Sequence, residues 1–273
     1  MKRDYIAVVV LWLVLTAIGL GVLLSLDIYP VAAAEEADHL DGAFRQLVIM
    51  GTPVFTFVLA VLIYSLWRFR TGNGPSEAGA PIYGHKVFSV GWLVITSALA
   101  LLLFYTPGVT GLLFLRSNPN ADMVVQVEAA QWHWHITYPE QGLSFKSAPT
   151  GFELMDQNTV LALPADRRVK FEVTSADVIH SFWIPAFRMK IDAVPGMTTT
   201  MYVTPNRPGD FEENFNYRVQ CAELCGTGHP RMNMRVAVLE PAEFEEWVAT
   251  QKQMESMGGM PMEEDDHGEA EEQ

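Results

Sequence analysis

Three long uncharged stretches dominate the first half of this 273-residue chain. Residues 6–26, 46–67 and 87–115 contain no Asp, Glu, Lys or Arg. A helix needs about 20 apolar residues to cross roughly 30 Å of hydrocarbon, so each stretch is long enough to span a membrane. Charged flanks on all three argue against ordinary buried helices. In the third stretch Pro107 and Gly108 predict a stop, which leaves 87–106 as the span. The first stretch is ambiguous. Lys2 and Arg3 precede it and Ala32, Ala33 and Ala34 follow it, the pattern of an export signal. Its apolar run exceeds the roughly 7–15 residues usual for such a signal. Residues 1–34 are therefore read as a signal peptide or an extra membrane anchor, with the cleaved signal preferred. Residues 35–116 are read as a transmembrane helical hairpin.

Orientation follows from charge. The connector between the second and third stretches carries Arg68, Arg70 and Lys86 against a single acid, Glu77. Basic loops stay on the cytoplasmic side, so the chain from Arg116 onward is expected outside. The 71–75 stretch reads as a flexible connector. The net charge of −14 sits elsewhere: residues 251–273 alone hold 8 acids and 1 base, half of the total. An acidic chain without a basic stripe has no footprint for nucleic acid. Two cysteines exclude a disulfide-rich scaffold.

From Met123 the long apolar runs give way to short alternating ones. Strands are predicted at 123–129, 131–137, 167–174, 198–204, 210–217 and 234–239, separated by Pro, Gly and Asn clusters. Many short strands with little helix imply a β-sandwich or barrel over about 117–250. One helix is predicted at 241–251, where Pro241 suits a first helical position and Phe244, Trp247 and Val248 share a face. Residues 251–273 read as an acidic, Met-rich, disordered tail. In it Met254, Met257, Met260, Met262 and His267 could capture copper, against the plainer reading of a solubilising tail.

Both cysteines fall in one run, C-A-E-L-C-G-T-G-H-P-R-M at 221–232. Thiolate, imidazole and thioether donors suit copper. A blue-copper site needs one cysteine, whereas two on one tight loop can bridge two copper ions. Cys221 and Cys225 are then the bridges, and His229 and Met232 supply one terminal ligand apiece. A second histidine is required, and His180 in D-V-I-H-S-F-W-I-P is the best candidate. The Glu223 carbonyl could complete the set. A disulfide or a structural zinc site are the competing readings of the two cysteines.

The 221–232 run, S-A-D-V-I-H-S-F-W-I-P at 175–185 and K-I-D-A-V-P-G at 190–196 stand in the order and spacing of one family. With them the chain resembles subunit II of cytochrome c oxidase, over nearly its whole length from about Glu35. The resemblance implies a membrane-anchored all-β protein: a transmembrane hairpin followed by a cupredoxin-like Greek-key β-barrel holding a binuclear copper centre, CuA. It implies Cys221 and Cys225 as bridges, His180 and His229 as terminal imidazoles, Met232 as weak axial ligand and Glu223 as carbonyl donor. It gives the Glu223 side chain a share in a magnesium ion at the interface with subunit I, and sets Lys190 and Asp192 against that subunit.

The resemblance further implies that Gln131-Trp132-His133-Trp134 is the aromatic patch where electrons come in, at Trp132. Electrons then pass to haem a of subunit I, which also holds haem a3 and CuB, for oxygen reduction coupled to proton translocation. The expected partners are subunits I and III, cytochrome c or a small blue-copper donor, and membrane lipid. The expected place is a bacterial plasma membrane, multi-pass, with the copper domain outside. Departures are His133, where the family has tyrosine, and Gly84-His85-Lys86, where it has an acid near the second membrane helix. His133 and His135, two apart on one strand face, could bind a stray metal or be hydrogen-bonded histidines. Competing classes are a metal-free quinol-oxidase subunit, a nitrous oxide reductase domain and a tethered copper chaperone.

Overall fold

The computed structural model describes residues 2–26, 28–70, 84–147 and 159–258. Its contacts divide the chain into two compact units, Met1–Pro119 and Asn120–Gln273. The 71–75 connector, Glu77 and the tail residues Met260, Met262 and His267 lie outside the described residues.

The first unit is helical: α1 (Lys2–Ser25), α2 (Glu35–Arg68), α3 (Lys86–Leu103) and α4 (Thr110–Arg116). Arg3–Ser25, Glu35–Arg68 and Lys86–Arg116 are long and apolar enough to cross a membrane. α2 starts at Glu35, well before the apolar run at 46. Glu35, Glu36 and Asp38 in its first turn complement the positive end of the helix dipole. Pro107 does not end the third stretch. Thr106 leaves helical geometry (φ −125°, ψ 113°), and the helix resumes as α4. Proline lacks the N–H that would close the ladder there. Gln46 Nε2 donates to the Thr106 carbonyl at 2.7 Å, giving it a partner where lipid offers none.

α1 and α2 run antiparallel. The Tyr64 hydroxyl donates to Asp4 at 2.7 Å, and Arg68 Nε lies 3.4 Å from the same carboxylate. Further along, Trp12 Nε1 donates to the Pro53 carbonyl at 2.8 Å, and the Thr16 and Thr56 hydroxyls meet at 2.7 Å. Gly19 permits close approach: a Cβ there would stand 3.0 Å from Thr52 Cγ2. Small residues and interhelical hydrogen bonds are what hold helices together in lipid.

Among the described residues the second unit has eleven strands: β1 (Met123–Ala130), β2 (His133–Tyr138), β3 (Leu143–Lys146), β4 (Val160–Pro164), β5 (Val169–Ser175), β6 (His180–Ile184), β7 (Met189–Ala193), β8 (Thr199–Val203), β9 (Gly209–Asp210), β10 (Arg218–Cys221) and β11 (Asn233–Leu239). One sheet runs β3-β2-β1-β5-β8. The other runs β4-β11-β10-β6-β7, with β9 also on β11. β1 pairs in parallel with β5, and β4 with β11, so the chain crosses between sheets rather than meandering. This is a two-sheet sandwich of cupredoxin type.

Strict alternation builds its core: Val169, Phe171, Val173 and Ser175 point inward from β5, and Trp134, Ile136 and Tyr138 from β2. Phe182 of β6 bridges the sheets, its ring 5.5 Å from Trp134 and 5.2 Å from Phe171. Truncating such a ring to alanine would cost about 3–5 kcal/mol. Helix α5 (Pro241–Gly258) packs Trp247 5.6 Å from Tyr138 and buries Phe244. It continues past 251 because T-Q-K-Q-M-E-S-M holds no Gly or Pro and several good helix formers.

Two predicted strands differ. Gln131 and Trp132 form the turn before β2 rather than part of it. The 210–217 segment is the short β9 and a turn. Cys221 instead ends β10, a strand with no clear signal of its own in the sequence.

Candidate metal centre

β10 and β11 form an antiparallel hairpin whose loop is the 221–232 run. The Cys221 N–H donates to the Met232 carbonyl at 3.1 Å and closes its base. On its other side β10 pairs with β6, setting Cys221 opposite Phe182. The Ala222 N–H donates to the Ser181 carbonyl at 2.9 Å. That pairing brings His180, 41 residues away in sequence, beside Cys221.

The donor atoms converge. The two Sγ atoms are 3.7 Å apart, so the cysteines are free rather than disulfide-bonded. His180 Nδ1 lies 3.8 Å from Cys221 Sγ, and His229 Nδ1 3.6 Å from Cys225 Sγ. Met232 Sδ lies 3.9 Å from Cys225 Sγ, and the Glu223 carbonyl oxygen 3.2 Å from Cys221 Sγ. Metal–sulfur and metal–nitrogen bonds of about 2.3 and 2.0 Å at tetrahedral angles put donors roughly 3.5–3.8 Å apart. The sulfur–sulfur and sulfur–imidazole spacings fit ligands of shared ions. His180, Cys221 and Cys225 form the one His/Cys/acid cluster gathered within 4.8 Å among the described residues. His180, Cys221, Cys225 and Met232 are buried, and His229 is half-buried.

Burial, and then the neighbouring Cys221 thiol, push the Cys225 thiol up to about 12. A cation bound at Cys225 must displace that proton. His180 is oriented from behind. Its Nε2 lies 2.9 Å from Asp177 Oδ1, a hydrogen bond that leaves Nδ1 aimed at Cys221. Asp177 also accepts from the Val178 N–H at 2.6 Å and the Gln131 N–H at 2.7 Å. Partial burial pushes its carboxyl up, but the bonds from His180, Gln131 and Val178 outweigh that and hold it below the usual range. Asp177 has no role in the sequence reading; its only signal is an acid three residues before the histidine.

Trp132 sits over the loop. Its Nε1 donates to the Cys225 carbonyl at 3.2 Å, and Gln131 Nε2 donates to the same oxygen at 2.7 Å. Gly226 adopts φ +117°, and a Cβ on Gly228 would stand 2.3 Å from the Trp132 ring. Trp134 lies behind the site, fully buried. The Glu223 side chain and Lys190 and Asp192 on β7 are exposed and take no part in the cluster. His133 and His135 lie on the sheet face opposite Trp134.

A cupredoxin-type sandwich whose clustered thiol, imidazole and thioether donors suit copper, in a chain that also carries helices long and apolar enough to cross a membrane, defines the class of membrane-anchored cupredoxin-like proteins. Comparison with known proteins narrows this. A family model described as cytochrome c oxidase subunit II, periplasmic domain, matches residues 123–239. A subunit 2 relative from Rickettsia felis is 30% identical over 237 residues, covering 83% of this chain and 71% of its own. Cytochrome c oxidase subunit 2 of Synechocystis is 29% identical over 282 residues, covering 86% and 79%. The solved periplasmic domain of subunit II of the Bradyrhizobium japonicum oxidase is 34% identical, covers 50% of this chain and 97% of its own, and has a TM-score of 0.44. The chain belongs to the cytochrome c oxidase subunit II family and is a component of a haem-copper terminal oxidase complex.

Proposed function

We propose that this chain accepts electrons from a soluble donor at a binuclear copper centre and passes them to haem a in subunit I. The convergence of three side-chain donors and one carbonyl around the two cysteine sulfurs carries this reading. Cys221, Cys225, His180, His229, Met232 and the Glu223 carbonyl would together hold the two copper ions, which would supply one-electron chemistry there. The protein keeps its donors still. Asp177 fixes the His180 ring, the hairpin closure fixes Cys221 against Met232, and buried Trp134 keeps water out from behind. Trp132 presents a half-exposed ring outward and its N–H to the Cys225 carbonyl, which suits the electron port.

The exposed Glu223 carboxylate would hold magnesium at the subunit I interface, where Lys190 and Asp192 would also lie. Subunit III completes the assembly. Cytochrome c is the donor class that suits the acidic outer domain, with a small blue-copper protein as the other candidate. The chain sits multi-pass in a bacterial plasma membrane with the copper domain outside. The deciding experiment is metal analysis with EPR on the purified full chain. Two copper ions and a seven-line mixed-valence signal are expected; one copper, or zinc in the site, overturns the reading. With a cationic cytochrome c, turnover should fall severalfold as ionic strength rises, because screening removes long-range attraction. A salt-independent rate would exclude charge steering.

The α1–α2 contacts support keeping the first helix. A cleaved signal has no use for Trp12, Thr16 and Asp4 paired to α2. Ala33 and Ala34, at the candidate cleavage point, are fully buried. Residues 1–34 are on this reading a permanent third span, and N-terminal sequencing of the membrane-isolated protein should find the α1 residues. A mature terminus at Glu35 would show that the helix is discarded.

A further inference from the structure

The outer face of the β3-β2-β1-β5-β8 sheet carries two histidines and a carboxylate that the cysteine cluster does not use. β1 and β2 pair so that Glu128 stands directly opposite His135, and Ala130 opposite His133. His133 and His135 share this face, about 6.8 Å apart along the strand. The small Ala130 leaves space across from His133. Glu128 and His135 also line a depression of about 330 Å³ that opens to solvent.

The His135 ring is already set as a ligand ring is set. Its Nε2 lies 2.8 Å from Ser144 Oγ, and Ser144 Oγ lies 3.1 Å from Thr137 Oγ1. Ser144 can accept from an Nε2–H of His135 while donating to Thr137, the arrangement that leaves Nδ1 free to bind a cation. Nδ1 stands 3.5 Å from Glu128 Oε2. The distance exceeds an ordinary N–H···O bond. It approximates the roughly 3.3 Å between an imidazole nitrogen and a carboxylate oxygen bound to one tetrahedral ion at about 2.0 Å each.

The geometry points to a surface site for a borderline divalent cation, zinc or copper(II), formed by His135 and Glu128 with His133 turning in as third ligand and water completing the set. A two-imidazole, one-carboxylate set with an open position is an established zinc geometry. His133 must rotate to join, since these three are not gathered as tightly as the buried cluster. Glu128 and His135 are 51% and 31% exposed, so rearrangement and access are easy. The site stands apart from the copper centre in its donors and does not depend on what that centre does.

The test is Zn²⁺ binding by equilibrium dialysis to the full-length chain with its cysteine site already copper-loaded. The parent chain should bind one Zn²⁺ more than the His133→Gln/His135→Gln double variant. Glu128→Gln should weaken that extra binding about 10-fold or more. Added Cu²⁺ should give a separate EPR signal with nitrogen splitting in the parent and none in the double variant. The copper-centre absorbance should be the same in all, which reports an intact fold. Equal Zn²⁺ uptake by the parent and the double variant, or an extra Cu²⁺ signal that survives loss of both histidines, would overturn the assignment.

Discussion

Cys221→Ser should abolish the mixed-valence copper signal and reduce oxidase turnover to background. Serine keeps the shape but loses the soft thiolate that copper prefers. The sulfur it removes is the one nearest both His180 Nδ1 and the Glu223 carbonyl, at 3.8 and 3.2 Å. Cys225, His229 and Met232 remain as one cluster around one sulfur. The variant should therefore retain at most one copper, with a four-line localised spectrum. Because the Cys221 backbone, not its side chain, closes the hairpin on Met232, the fold should survive. Spectroscopy of the purified variant checks both points. A surviving seven-line signal would show that Cys221 is not a bridge.

Gly228→Ala should be the second severe substitution, although it changes no donor. Its Cβ would stand 2.3 Å from Cδ2 of Trp132, and 2.5 Å from Cγ, inside any permitted contact. The ring or the loop must move. Overpacking of this kind costs about 1–3 kcal/mol. If Trp132 yields, its hydrogen bond to the Cys225 carbonyl breaks and electron uptake should slow on the order of 100-fold, the cost of a misplacement of about 1 Å. Stopped-flow oxidation of reduced donor measures this directly. Trp132→Ala should slow uptake to a similar degree without the loss of stability. Trp132→Ala/Gly228→Ala should recover most of the stability but not the rate. A double variant as unstable as Gly228→Ala would place the clash elsewhere.

These cases show what could be read before folding and what could not. The cysteine, histidine and methionine of the loop were legible because their spacing is one-dimensional: four, four and three residues along a hairpin. The membrane helices were legible from uncharged length alone, but their ends were not. α2 starts at Glu35 because acids suit a helix N-terminus even where the apolar pattern has not begun. Pro107 marks a kink and not the expected end: the helix resumes beyond it as α4, with Gln46 bonded to the Thr106 carbonyl. Gly228 and Asp177 were illegible for a deeper reason. Each matters through a partner supplied by the turn at 131–132, and the contacts of that turn with Cys225 span 93 and 94 positions. No local pattern encodes a distance of that kind. The expected 131–137 strand hid it further, because a strand would have carried Trp132 away from the loop.

The way Asp177 is held bears on how such a protein can change. One of its oxygens meets His180 and the other takes the backbone N–H of Gln131 in the turn that carries Trp132. Since that second grip is on the main chain, it does not depend on which side chain occupies position 131. Side chains along the outward edge of the turn can be exchanged through mutation without loosening the imidazole behind it. A lineage could thus adapt the surface to a new redox partner while His180 keeps its orientation, whereas Cys225, whose carbonyl takes both turn side chains, is tied to what stands at 131 and 132.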